Sequence, residues 1–347
     1  LNMPSQISQS ARVHCSALKL NEEIIAMHWG AVDEKTFYYL MPAYCGEKWS
    51  KYSPGKILLE ELMLSCHHSD LKVFDFTSGD ESYKKIEKIL AKHKSQQNSL
   101  IYPTGYMANL GSISAIAKKG DLILSDELNH ASIIESCKLS GAKISIYKHN
   151  DMKDLFQKIK KQGKNKFIIT EGVFSMDGDF SSLKEITEIS QKTNAITIVD
   201  DAHGDFVIGK EGKGTPEYFK VAKKIDLYIS SLSKGLGSFG GYVASQNNVI
   251  DACINKSKAF IYTSALPSFL VEHSIKRIQS NREIQKKKLE NNIEKISNGL
   301  KLIGYEINSK TQIIPIIVGD EKTAMEFGKF LFKNGVFAQP IRYPTVP

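Results

Sequence analysis

Residues 225–237 read Ile225-Asp-Leu-Tyr-Ile-Ser-Ser-Leu-Ser-Lys-Gly-Leu-Gly: an apolar strand runs into hydroxyl side chains, then a lysine, then glycines. Upstream, a second apolar strand, Ala195-Ile-Thr-Ile-Val, ends in Asp200-Asp-Ala-His-Gly. Adjacent strands that finish in polar residues describe the carboxyl edge of a parallel sheet, where α/β folds bind ligands. An amine at that edge, Lys234, can form a Schiff base with a carbonyl cofactor. A carboxylate there, Asp200, can hold a pyridinium nitrogen protonated, which makes pyridoxal phosphate an electron sink. The pair points to a pyridoxal-phosphate enzyme.

Working outward, strand and helix patterns alternate from about residue 86. Strands are expected at Asp121-Leu-Ile-Leu, Ile144-Ser-Ile-Tyr, Phe167-Ile-Ile-Thr, Ile196-Thr-Ile-Val and Asp226-Leu-Tyr-Ile, with helices at 151–162 and 182–192 between them. This rhythm specifies an α/β fold: a mainly parallel sheet with helices on both faces. Residues 267–302 read as one long charged helix with Pro267 in its first turn. A strand at Ile313-Ile-Pro-Ile-Ile-Val and a helix at 322–333 follow, as the start of an incomplete small C-terminal domain. The first 85 or so residues differ. They read as a meander of strands at 13–20, 23–30 and 36–40, a helix from Pro54 to about His67, and a strand at Lys72-Val-Phe-Asp-Phe.

The chain has 347 residues, of which 41% are hydrophobic and 24% charged, the composition of a globular protein rather than a disordered one. No apolar run is long enough to cross a bilayer, and no secretory signal pattern opens the sequence. The net charge of +8 raises nucleic-acid binding as a possibility. Yet arginine occurs only at 12, 277, 282 and 342, and the lysines interleave with apolar positions, as on solvated helix faces. Five widely spaced cysteines, without a Cys-x-x-Cys, favour free thiols in a reducing cytoplasm over disulfides or a metal site.

Three further stretches carry polar groups to the same edge. Thr170-Glu-Gly-Val-Phe-Ser-Met-Asp-Gly-Asp follows a strand and offers Glu171 and Ser175, although Asp177-Gly178 alone is an ordinary turn dipeptide. Leu128-Asn-His-Ala-Ser sets His130 between a strand end and a helix, where an imidazole can stack on a planar ring; His203 can reach a phenolic oxygen. Tyr102-Pro-Thr-Gly-Tyr-Met places Gly105 and Tyr106 at a helix N-terminus, a site for a cofactor phosphate. Ser231 adds a hydroxyl, and the glycines after Lys234 let backbone pass close to a cofactor.

Taken together, these motifs, with Val199-Asp-Asp-Ala-His-Gly, Ser233-Lys-Gly-Leu-Gly-Ser-Phe-Gly-Gly-Tyr, Ile261-Tyr-Thr-Ser-Ala-Leu-Pro and Ile341-Arg-Tyr-Pro-Thr-Val-Pro, resemble the α-oxoamine synthase family of fold-type-I pyridoxal-phosphate enzymes. The resemblance spans about 86–347. It implies pyridoxal 5'-phosphate on Lys234, Asp200 at the ring nitrogen, His130 stacked on the ring, and Ser175 and His203 at the phenolic oxygen. Gly105 and Tyr106 would contribute to the phosphate or substrate pocket, and Ser231, where the family often has threonine, would bind the phosphate; His130 and Thr345 would face the acyl substrate. The implied reaction condenses L-alanine with a pimeloyl thioester (coenzyme A or a carrier protein) with loss of carbon dioxide, a step of biotin biosynthesis. A homodimer in the cytoplasm is implied too, with no membrane or nucleic-acid partner. Glycine C-acetyltransferase and 5-aminolevulinate synthase are related alternatives; Tyr343-Pro-Thr-Val-Pro is similar to the latter.

This sequence departs from the family in three places. The family's N-terminal Asn-Asp-Tyr-Leu-Gly-like stretch has no counterpart, Tyr83 replaces a histidine, and the strand that supplies a carboxylate-binding arginine is not found. Residues 1–84 instead resemble the C-terminal half of a GNAT-type acetyltransferase, through Ala26-Met-His-Trp-Gly, Phe37-Tyr-Tyr-Leu-Met-Pro-Ala-Tyr and Lys51-Tyr-Ser-Pro-Gly-Lys-Ile-Leu-Leu-Glu. Gly55 and Lys56 could cradle a pyrophosphate there or serve as a plain helix start. The expected division is a partial GNAT-like α+β segment (1–84), a cofactor-binding major domain (85–266), and a connecting helix with the small domain (267–347). An N-acyltransferase working through the first segment, or a catalytically inert fragment, are the competing readings.

Overall fold

The computed structural model describes residues 12–46, 48–75 and 80–342. The chain forms two compact units, Leu1–Ala115 with Ser231–Ser280, and Ile116–Ser230 with Asn281–Pro347. In the first, β1 (Arg12–Leu20), β2 (Glu23–Val32) and β3 (Thr36–Tyr44) pair antiparallel in order. Asn21, at φ 55°, makes the β1–β2 turn in the left-handed region that asparagine tolerates. Helix α1 (Pro54–His68) then crosses over, and β4 (Val73–Asp75) pairs parallel to β3. Leu58, Leu62 and Cys66 fall on one stripe of α1 and bury against Ala26 and Phe37. A hydrophobic face covered by a helix is what lets so small a sheet be stable. The expected meander is therefore present. Helix α2 (Asp80–Lys94) buries Ile86 and Leu90 completely, and β5 (Asn98–Tyr102) leads into α3 (Gly105–Ile116).

The second unit alternates strand and helix. Its elements are β6 (Leu122–Asp126), α4 (Ala131–Ser140), β7 (Lys143–Tyr147), α5 (Met152–Lys158), β8 (Lys166–Glu171), α6 (Leu183–Thr193), β9 (Ile196–Asp200), α7 (Thr215–Tyr218) and β10 (Leu227–Ser231). The strands pair in parallel in the order β10-β9-β8-β6-β7. Leu122, Leu124, Ile168, Tyr147 and Leu155 form its core with Ile186 of α6. Strands covered on both faces read as unbroken apolar runs, which is how they were found in the sequence. The chain returns to the first unit with β11 (Gly241–Ser245), antiparallel to β5 from Gly241 opposite Tyr102 to Ser245 opposite Asn98. Helices α8 (Asn247–Lys256), α9 (Lys258–Ile261) and α10 (Ser268–Gln279) complete that unit; α11 (Glu283–Leu302) and α12 (Glu321–Lys333) belong to the second.

Three expectations need correction. The single helix at 267–302 is two, because Ser280 turns extended at ψ 151° and Asn281 Oδ1 accepts the Glu283 N–H at 3.0 Å, starting α11 afresh. Residues 313–318 form no strand; the β pattern is there, but among the described residues no neighbour pairs with it. Helix α5 stops at Lys158, short of 162. Gly163 has to pack against Leu122, where an added Cβ would stand 2.6 Å from the Leu122 Cβ. No helix among the described residues is long and apolar enough to cross a membrane.

Candidate active site

In the second unit the strand ends bring one group of polar residues together. Glu171 ends β8 directly opposite Asp200, which ends β9. The Glu171 carboxylate accepts the His130 backbone N–H at 2.6 Å. Asn129 ties the same loop to β8, donating to the Ile169 carbonyl (2.8 Å) and accepting from the Glu171 N–H (3.1 Å). His130 is the N-cap of α4: its Nδ1 accepts from the Ser132 N–H at 3.2 Å, which in the neutral ring puts the proton on Nε2. The ring is exposed, so its face is accessible to a ligand.

Asp200, the last residue of β9, and Asp201, just beyond it, have different partners. Asp200 is 7% exposed and accepts the Ala202 N–H at 3.0 Å. Asp201 is fully buried and takes the Thr215 hydroxyl at 2.7 Å and the Thr215 N–H at 3.0 Å. A Cβ at Gly172 or Gly204 would come within 2.4 or 2.3 Å of the Asp201 carboxylate. The glycine of Asp-Ala-His-Gly therefore makes room for Asp201. His203 is half-buried, and its carbonyl accepts from Gln312 Nε2 at 2.6 Å.

Ser175 lies in a tight turn closed by Phe174 N–H to the Asp179 carbonyl (3.0 Å) and Gly178 N–H to the Phe174 carbonyl (2.9 Å). Gly178 has φ 66°, and a side chain there would strike the Ile313 carbonyl. Ser309 and Thr311 donate to the Gly178 carbonyl at 3.1 and 2.8 Å and hold the turn from outside. Sequence reasoning missed both. It also missed His149, whose ring reaches Asp126 and Asp179 at 2.9 Å each. A lone histidine after a strand gives no local signal for such contacts.

The first unit holds a separate group of polar residues. Thr104 Oγ1 caps α3 by accepting the Met107 N–H at 3.1 Å. Ser231 is packed onto the helix start: a Cβ on Gly105 would stand 2.9 Å from the Ser231 Cβ and 3.2 Å from its hydroxyl. Ser231 and Ser233 hydroxyls are 2.8 Å apart. A helix N-terminus, two hydroxyls and a glycine whose side chain would fill the space form a cradle suited to a phosphate. Tyr106 is 40% exposed in the same first turn. Lys234 follows on the surface, in a turn closed by the Gly237 N–H to its carbonyl at 3.0 Å, with Gly237 at φ 65°. Tyr83, in place of the family histidine, donates to the Leu266 carbonyl. Thr345 lies outside the described residues. No group of three or more His, Cys, Asp or Glu among the described residues could hold a metal ion.

These features define a fold-type-I pyridoxal-phosphate transferase. The chain matches the aminotransferase class I and II family over residues 59–347 and a GNAT acetyltransferase domain over 3–85. The 8-amino-7-oxononanoate synthase of Thermoanaerobacter pseudethanolicus is 44% identical over 271 residues, 76% of this chain and 69% of that protein. That of Treponema denticola is 42% identical over 269 residues, 76% and 68% of the two chains. Among solved structures, the Sphingomonas wittichii serine palmitoyltransferase has a TM-score of 0.74 at 29% identity, covering 78% of this chain and 69% of its own. The Francisella tularensis 8-amino-7-oxononanoate synthase has 0.69 at 28%, covering 82% and 84%. The chain belongs to the aminotransferase class I and II family, and within it to the α-oxoamine synthases that include these relatives.

Proposed function

We propose that the chain is a pyridoxal-phosphate-dependent C-acyltransferase of the 8-amino-7-oxononanoate synthase type, acting in biotin biosynthesis. The carrying observation is 44% identity over 271 residues to such a synthase. In that reaction a bond forms between Cα of L-alanine and the carbonyl carbon of a pimeloyl thioester, while the Cα–carboxylate and C–S bonds break to release carbon dioxide and thiol. When bound, pyridoxal phosphate supplies an electron sink for charge developing at Cα. Lys234 Nζ would hold its carbonyl carbon and carry protons to and from Cα. Asp200 would keep the ring nitrogen protonated, and its burial beside the Ala202 N–H favours a fixed carboxylate there. His130 would cover the ring and meet the acyl substrate together with Thr345. Ser175 and His203 would serve the phenolic oxygen, and Gly105, Tyr106 and Ser231 the phosphate. We also propose a homodimer in the cytoplasm, consistent with five free cysteines.

The test supplies the full chain with pyridoxal phosphate, L-alanine and pimeloyl-CoA. Mass detection of 8-amino-7-oxononanoate in step with released thiol supports the reading; release of neither contradicts it. The GNAT match over 3–85 favours a second reading, in which the first segment transfers an acyl group to an amine. Acylated amine formed without pyridoxal phosphate, and retained in Lys234→Ala, would favour it.

A further inference from the structure

His149 and Asn150 follow β7, the outermost strand of the parallel sheet, and reach inward to two loops. The His149 ring donates from Nδ1 to Asp126 and from Nε2 to Asp179, both at 2.9 Å, so it carries two protons and is a cation between two carboxylates. It stands edge-on to Phe174 with ring centres 4.4 Å apart. Asn150 repeats the bridge. Its backbone N–H donates to Asp126 Oδ2 (3.1 Å), and its Nδ2 donates to Asp179 Oδ2 (3.0 Å) and to the Phe180 carbonyl (3.0 Å). Its Oδ1 accepts the Ser182 N–H at 3.0 Å. At φ 52° the position suits asparagine, which tolerates the left-handed region.

Asp126 opens the loop that carries His130 and also accepts the Leu128 N–H at 3.0 Å, while Glu127 accepts the His149 N–H at 2.7 Å. Asp179 closes the turn that carries Ser175. We infer that His149 and Asn150 are positioning residues, a clamp that locks loops 126–130 and 174–180 to one another and so fixes His130 and Ser175 for the cofactor. The inference rests on the cofactor roles proposed above for those two residues. Neither clamp residue needs to touch the cofactor. Charge-assisted hydrogen bonds at both ends make the bridge stiff, and a shared partner at each end makes its parts act as one.

The clamp is tested on the full chain by hydrogen exchange and by the visible circular dichroism of bound pyridoxal phosphate. His149→Gln should speed exchange about tenfold or more in both loops together, as expected for loss of charge-assisted bonds, and leave β9 protected. The cofactor band should weaken and its release quicken by about the same factor. Asp179→Asn should reproduce this, and the double variant should be no worse than either single one, the mark of a shared interaction. Should His149→Gln exchange throughout the chain, Asn150→Ala decides by the same readings, since it removes the side-chain bonds to Asp179, Phe180 and Ser182 and spares the ion pairs. Exchange that quickens in one loop only, or a lowered melting temperature with the cofactor band and release unchanged, overturns the clamp. A wild-type chain that takes up no pyridoxal phosphate contradicts the proposed function instead, and the exchange result still decides the clamp.

Discussion

Thr215 donates both its hydroxyl and its N–H to Asp201, and Gly172 and Gly204 flank that carboxylate so closely that no Cβ fits. Gly204→Ala should therefore destabilise the fold by about 1–3 kcal/mol through overpacking, measured by denaturant unfolding. Asp201→Asn should cost about 1–3 kcal/mol as well, by turning an acceptor into a donor facing donors. Asp200→Asn should leave stability nearly intact and suppress exchange of the alanine Cα proton; the reverse order of effects contradicts the assignment. That the two neighbouring aspartates have different surroundings is what strand alternation leads one to expect. The anchoring role of Asp201 was not, because Thr215 is brought to it only by the fold. His149 was equally hidden. Burial alone would lower its pKa, but hydrogen bonds and charge from Asp126 and Asp179 raise it from 6.5 to about 10. A group raised in the folded state stabilises fully below its unfolded value and loses that contribution as pH climbs to the folded one. The stability gap between wild type and His149→Gln should thus be widest at and below about pH 6.5 and close as pH passes about 10. A gap that widens with pH would contradict the doubly paired cation.

At the scale of elements, the cradle at the start of α3 depends on Ser231 rather than on the helix alone. A hydroxyl bonded to a phosphate oxygen contributes about 1.5–3 kcal/mol, so Ser231→Ala should weaken pyridoxal-phosphate binding about tenfold to a hundredfold by equilibrium titration. Ser231→Thr should bind nearly as wild type. Equal affinity in all three would remove Ser231 from the phosphate site. The parallel strands were readable because each is a continuous apolar run bounded by turns. The region after 267 was misread where local pattern and pairing part company. The polar stretch Ser280-Asn281-Arg282 keeps helical periodicity while Asn281 restarts the helix, and the apolar residues 313–318 have β character but, among the described residues, no paired neighbour. Propensity proposes a strand, but hydrogen bonding to a neighbour makes one.

For the whole molecule, the two family matches meet in one chain, with residues 59–85 claimed by both. Helix α1 begins before that overlap and packs on the N-terminal sheet through Leu58 and Leu62. Leu62→Ala should then cost about 2–5 kcal/mol in the stability of the first unit, read by proteolysis of residues 12–75. The net charge of +8, which by itself suggests a polyanion partner, is spread over lysines such as Lys158 and Lys286, paired with Asp154 and Glu290 on their own helices. The central claim concerns one amine among these many. The purified chain is loaded with pyridoxal phosphate, reduced with borohydride, digested and mapped by mass spectrometry. The account predicts a single phosphopyridoxyl-labelled peptide carrying Lys234, and no label in Lys234→Ala. A label on any other lysine, or one that survives in Lys234→Ala, would contradict it.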